Sequence, residues 1–305
     1  NVRPDQEIVT TTHDHFITHE TLRLRQVRSG TAVRKIKLYD DPARVTEDQI
    51  AAAVQRGIGP KTRALAVTWV HSCTGVKLPI RRIASVVAAA NANRAEADRV
   101  LLCVDGVHGF GCEDFTLPQL GCDFFAAGCH KWLFGPRGTG LLWGRADAWR
   151  AYTPLFASFS STEAWLSWAE GRAAGTLVPG EVVTPGGNHS FEHRWALAAA
   201  FDLHKSLGKA RVAARMQELC HQLKEGLAAM KHVTLYTPRS AALSAGLVCF
   251  DVRNLKPAQV VAALQEKKIV ASTTPYLPSY ARLTPAVFNT PAEIDTALAA
   301  IKALA

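Results

Sequence analysis

The sequence is short of the features that mark several large protein classes. No apolar run reaches the length of a membrane span. The seven cysteines are odd in number, and several sit in apolar strand-like runs, so they do not read as a disulfide framework and a reducing compartment is the default. No pair of cysteines has zinc-ribbon spacing and there is no His-Glu-x-x-His. No G-x-G-x-x-G follows the first strand, which argues against a dinucleotide fold. Low-complexity tracts and internal repeats are missing, and so is an initiating Met: the chain opens at Asn1 and enters almost at once on a strand. It reads as a piece of a longer protein, with no signal peptide in view. The expected location is cytoplasmic by default, or periplasmic if a preceding segment carries a signal.

What is present is a mixed, well-patterned chain. Of its 305 residues, 48% are hydrophobic and 20% charged, enough for a large core and against global disorder. The formal charge of +9 is scattered. Arg23, Arg25 and Arg28 lie along one expected helix, and Arg34, Lys35 and Lys37 on one expected strand, with no stacking aromatics between them. Nucleic acid and membrane are therefore not expected partners. Small anionic molecules are.

Strand and helix patterns alternate through the first half. Ile8–Thr11, Val33–Leu38, Ala64–Val70, Val100–Val104, Phe124–Ala127 and Gly140–Trp143 read as strands. Asp14–Val27, Glu47–Arg56 (with a Thr46/Gln49 capping box) and a segment opened by Pro79 read as helices. This predicts a mostly parallel sheet with helices on both faces over residues 1–188. Residues 189–305 read as a smaller α+β domain. It has helices at about 190–206 and 209–230, strands at Val233–Tyr236, Leu247–Asp251 and Ile269–Ser272 and near Arg282, and helices at Pro257–Lys267 and from Pro291.

Ligands of open α/β sheets sit at the carboxyl ends of the strands. Three polar groups fall there: His71–Ser72, Asp105, and His130–Lys131. An aspartate and a lysine one crossover apart suit pyridoxal 5′-phosphate (PLP), which needs an amine for a Schiff base and an acid beside its ring nitrogen. A plain buried Asp–Lys ion pair is the equally open alternative. Gly135–Gly140 lets backbone approach a bound group. His13, His15 and His19, with Cys73 or Cys129, are the rival metal-ligand set.

The runs Val104–Gly109, Gly121–Phe124 and Cys129–Gly138 resemble the class V aminotransferase family of fold-type I PLP enzymes. So do Thr11–His15, Val67–Ser72 through Gly75 and Pro79, Tyr280–Thr284, Phe288–Thr290 and Glu293–Asp295. The resemblance runs nearly end to end. It implies that Lys131 is the Schiff-base lysine and proton shuttle, that Asp105 pairs with the pyridinium nitrogen, and that His108 sits near the phenolic oxygen. It further implies that His13 stacks on the ring, with His15 competing for that place, and that His130 holds phosphate. Arg282 binds the substrate carboxylate, and Ser72 lies on the substrate side. Asn188 lies in the turn Thr184–Asn188, expected at the cofactor and reaching a partner subunit, so a homodimer is implied.

The pattern departs in three places. Gly128 replaces a serine three residues before the lysine, Gly187 replaces a threonine, and the first phosphate loop of relatives falls upstream of Asn1. The run Ile269–Arg282 holds no cysteine, which argues against the desulfurases that attack with one. The Cys-His-Lys-Trp order and the Ser272–Pro275 loop resemble isopenicillin-N-epimerase-like and pyoverdine-tailoring members. The implied function is a PLP-dependent transaminase of amino-acid metabolism. An epimerase or C–S lyase of the same fold, or a non-catalytic binding module, are the alternatives.

Overall fold

The computed structural model describes residues 1–159, 161–175, 177, 179–183 and 190–305. In chain order its elements are β1 (Glu7–Thr11), α1 (Phe16–Ser29), β2 (Ala32–Ile36), α2 (Glu47–Gly57), β3 (Thr62–Thr68), α3 (Ile80–Asn91), β4 (Leu101–Asp105), α4 (Leu117–Leu120), β5 (Phe124–Gly128), β6 (Gly140–Gly144), α5 (Thr162–Ala169) and α6 (Pro179–Val182). There follow α7 (Phe191–Leu207), α8 (Lys209–Ala228), β7 (Val233–Leu235), β8 (Val248–Val252), α9 (Pro257–Glu266), β9 (Ser272–Thr273), β10 (Ala281–Leu283) and α10 (Pro291–Lys302).

Six strands form the first sheet in the order β2-β1-β3-β4-β5-β6. All neighbouring pairs are parallel except β5 with β6. The continuous apolar runs supply its core: Val9, Leu65, Val67, Leu102, Val104 and Phe125 pack against Ile50, Val54, Ile80 and Ile83 of α2 and α3. Helix α2 starts on the expected reciprocal capping box of Thr46 and Gln49. The opposite sheet face is only partly covered: Ala64, Ala66, Leu101, Cys103 and Phe124 are half-buried and Ala126 is exposed.

The second sheet is antiparallel, in the order β7-β8-β10-β9. Helix α8 belongs to both halves. Val212 and Met216 join the first core, whereas Leu219, Leu223 and Leu227 join the second. Helix α7 lies on the large-sheet side, with Ala200 packed against Cys129 and Leu133. The boundary expected at 188/189 lies outside the described residues.

Two elements differ from expectation. Helix α1 begins at Phe16, not Asp14, because the Asp14 carboxylate is drawn to the ends of β1 and β3 and His15 caps the helix in its place. The strand expected at Ile269–Ser272 is only Ser272–Thr273. The apolar Ile269 and Ala271 that suggested it pack into the second core instead of pairing along β10.

Candidate active site

Parallel register sets Thr68, Asp105 and Ala126 side by side at the carboxyl ends of β3, β4 and β5. Side chains alternate along a strand, so these three share a face with Ala66, Cys103 and Phe124. They floor a cavity of about 670 Å³, which Lys131, His108, His15 and Ser72 also line. That volume holds a substituted pyridine ring with an amino acid beside it.

Lys131 follows β5 in a tight loop pinned by Cys129 N–H to Thr139 O (3.0 Å), Gly135 N–H to Cys129 O (2.8 Å) and Phe134 N–H to Lys131 O (3.1 Å). A second loop, 106–112, carries His108 and presses on the first. Gly111 (φ +90°) allows this, since a Cβ there would lie 2.6 Å from Leu133 N. The result is Lys131 Nζ 2.9 Å from His108 Nε2.

Burial lowers the Lys131 ammonium from its ordinary range; Asp105 opposes that and Arg282 adds to it. Burial, then Lys131, hold His108 well below the usual imidazole range, so it is neutral. The Asp105 carboxyl is pushed up by burial and drawn back by the Val107 N–H (3.1 Å) and by Lys131. The plain Asp–Lys ion pair of the alternative is not what forms: the Lys131 amine sits on the His108 imidazole, with the Asp105 carboxylate acting across the cavity.

His13 does not line this cavity. Its ring stacks on Tyr39 (3.9 Å, 13°), its Nε2 accepts from Leu38 N–H (3.2 Å), and burial lowers its pKa to about 3. Of the two histidines read for the stacking position, His15 lines the cavity. As N-cap of α1, His15 accepts from Ile17 N–H through Nδ1 (3.2 Å) and turns its ring to the cavity. His19 is bound at Nε2 to Thr11 O (2.7 Å). The three histidines point to different partners, and among the described residues no cluster of His, Cys, Asp or Glu is arranged to hold a metal ion.

His130 is exposed, with its ring beside Gly128 at the cavity edge. Arg282 reaches the cavity mouth from β10, donating to Ser72 O (Nη1, 3.1 Å) and Ser272 Oγ (Nε, 3.1 Å). Asn188 lies outside the described residues.

Sequence reasoning missed three contributors. Asp14, buried, accepts from Thr10 Oγ1 and Thr11 N–H (2.7 Å each) and from Thr68 N–H (2.6 Å), tying the end of β1 to that of β3. Thr68 itself presents a buried hydroxyl beside Asp105 that has no hydrogen-bond partner among the described residues. Tyr276 places its hydroxyl 2.7 Å from Ser72 Oγ. A lone Asp after a strand was a weak signal for the first; the others depend on register and on a contact across most of the chain.

The ring end of the cavity fits PLP: a desolvated lysine, a carboxylate and an unpaired hydroxyl converge there. The backbone at Gly138 (φ +83°), which lines the cavity with open space beside it, leaves the other end open to a phosphate, with His130 at its margin.

The fold is that of the fold-type I PLP enzymes. The aminotransferase class-V family model matches residues 1–275, and the chain belongs to that family. It is 29% identical over 294 residues to isopenicillin N epimerase of Streptomyces clavuligerus, covering 91% of this chain and 68% of the relative. It is 26% identical over 321 residues to a cysteine desulfurase of Klebsiella pneumoniae, covering 99% and 72%. Among solved structures it resembles the cystine C–S lyase C-DES in complex with cysteine persulfide (TM-score 0.86, 25% identity, 99% of this chain and 76% of that one). A C-DES variant with glycine covalently linked to its PLP cofactor gives a TM-score of 0.83 at 25% identity, covering 97% and 74%.

Proposed function

We propose that this chain binds PLP through Lys131 and transforms amino acids at Cα, first as a transaminase. The observation that carries the reading is the convergence of Asp105 and Lys131 on one cavity, from the ends of adjacent strands, with the lysine amine set against a neutral His108.

Asp105 would hold the proton on the cofactor's ring nitrogen, helped by the Val107 N–H that fixes its carboxylate. His15 would cover the ring, and His130 with the backbone of Gly138–Gly140 would take the phosphate. When bound, PLP supplies an electron sink for the pair released when a bond to Cα breaks. Lys131, with its pKa lowered by burial, keeps a neutral fraction that can take a proton from Cα and return it. His108 Nε2, neutral and 2.9 Å from Lys131 Nζ, can accept a hydrogen bond from the protonated amine and hold it in place. Arg282 would bind the substrate carboxylate by its guanidinium fork.

Epimerisation is the second reading, favoured by the similarity to the Streptomyces enzyme. C–S cleavage by thiol attack is less supported here. Cys73 is held near Arg282 and Pro278, and burial pushes its thiol up to about 11, which leaves little thiolate.

The test adds PLP to the purified protein and to Lys131→Ala. After borohydride reduction and removal of unbound PLP, a covalent pyridoxyl label on Lys131 is expected in the first and none in the second; a label that survives the substitution sinks the reading. Single-turnover incubation with amino acids then separates the reactions. Stoichiometric keto-acid release indicates transamination, and solvent deuterium at an inverted Cα indicates epimerisation.

A further inference from the structure

A loop of the small domain reaches the side of the cavity that Ser72 and His15 line. Residues 274–280 are held rigid by Thr274, which is buried. Its N–H donates to Tyr280 O (2.9 Å), its carbonyl accepts from Tyr276 N–H (2.9 Å) and Ser279 Oγ (2.7 Å), and its hydroxyl accepts from Tyr280 N–H (2.9 Å). The loop thereby aims one side chain inward. Tyr276 meets His15 edge-on (5.8 Å, 89°) and sets its hydroxyl 2.7 Å from Ser72 Oγ.

Ser72 is grasped a second time. Its carbonyl accepts from Arg282 Nη1, while Arg282 Nε is turned to Ser272 Oγ. Two donor groups of the guanidinium are therefore used inside the protein. They fix the plane in which its remaining N–H groups face a ligand. Ser72 is 5% exposed, in the loop after β3, so its side chain and its carbonyl move together. Whatever fixes the Ser72 side chain fixes the carbonyl that orients Arg282.

We propose that Tyr276 is a positioning residue for substrate. Through Ser72 it sets the angle of the Arg282 fork and so the affinity for the α-carboxylate, without touching the cofactor lysine. The inference rests on the PLP reading above and names the part of the site that recognises the acid group. Tyr276 is a hydroxyl rather than a phenolate here, since burial pushes its pKa up to about 12. The bond to Ser72 is a neutral one that persists across the working pH range.

The experiment uses PLP-loaded wild type, Tyr276→Phe, Ser72→Ala and the double variant. The spectral titration runs each common L-amino acid, and the decarboxylated amine of the best binder. Tyr276→Phe is expected to bind PLP like wild type and to keep its Tm within a few degrees. Its amino-acid affinity should weaken about 5- to 10-fold, the scale of one lost neutral hydrogen bond, with kcat held and the amine bound as before. The double variant should be no worse than the poorer single, because both remove one bond. Unchanged amino-acid affinity, equal weakening of the amine, or additive losses would each overturn the clasp while leaving the PLP site standing. A wild type that takes up no PLP overturns the reading beneath it, and the clasp as a substrate device with it.

Discussion

His13 and His71 show what burial does to a side chain that ordinarily titrates near neutrality. His71 is fully buried, with Nδ1 2.7 Å from Tyr39 O–H; its pKa falls to about 4, and that of His13 to about 3, both through desolvation. In the unfolded chain both titrate near 6.5. Between about pH 6.5 and 4 the unfolded state binds protons that the folded state refuses, so stability is full above that window and is lost as pH falls through it. Two such groups give a slope of at most about 2.7 kcal/mol per pH unit. His13→Gln keeps an acceptor for Leu38 N–H but cannot titrate. Its urea midpoint should therefore fall less steeply between pH 6.5 and 4.5 than that of wild type. Parallel slopes in the two proteins would contradict this account. Which of two neighbouring histidines lines the cavity was not legible in the sequence. His13 and His15 both lie in a polar turn, where no periodicity says which one faces the sheet. Only the stack on Tyr39 and the capping of α1 decide it.

The turn between β1 and α1 is organised by one carboxylate. Asp14 accepts two backbone N–H groups and one hydroxyl, and it is 2% exposed. It joins strands that each deliver a side chain to the cavity side: Thr68 from β3, and His15 one residue on. Asp14→Asn would turn an amide N–H₂ toward at least one of these donors and leave a buried N–H unpaired. A loss of about 2–4 kcal/mol is expected, read as a lower denaturant midpoint, together with weaker PLP uptake. Uptake unchanged in a destabilised variant would show that the turn supports the fold and not the site. The helices with strong local signals were legible in the sequence: Thr46 with Gln49 opens α2, and Pro291 opens α10, where the structure adds a Thr290–Glu293 capping box that was not read. The buried strands β3 and β4 were legible as apolar runs within two residues. Strand β9 was not, because the hydrophobic residues before it serve the second core rather than a ladder. Asp105 and Lys131 were legible because strand ends in a parallel sheet are few. Tyr276 was not, since its partner Ser72 lies 204 residues away.

The two sheets behave as one body because small-domain groups complete the large-domain loop 71–77. Lys77 N–H donates to Leu243 O (2.8 Å), and Val76 pairs with Ser244. Thr237 is the joint. Its hydroxyl donates to Thr74 O and accepts from Cys249 N–H, both at 2.8 Å, and the residue is 1% exposed. The approach is close enough that a Cβ at Gly75 (φ +74°) would lie 2.6 Å from Leu247 O. Helix α8, shared by both cores, runs alongside. With so much continuous packing, neither half has a surface along which to melt alone, and unfolding should be a single transition in which secondary and tertiary probes coincide. Thr237→Val keeps the shape but strands a buried carbonyl and a buried N–H. The midpoint should drop by an amount equivalent to about 2–4 kcal/mol. If the joint is what couples the halves, the far- and near-ultraviolet transitions should also separate in this variant. If α8 alone is enough, they stay superimposed while the midpoint falls. A midpoint that does not move would show that the Thr74–Thr237–Cys249 contact contributes nothing to holding the halves of the site together.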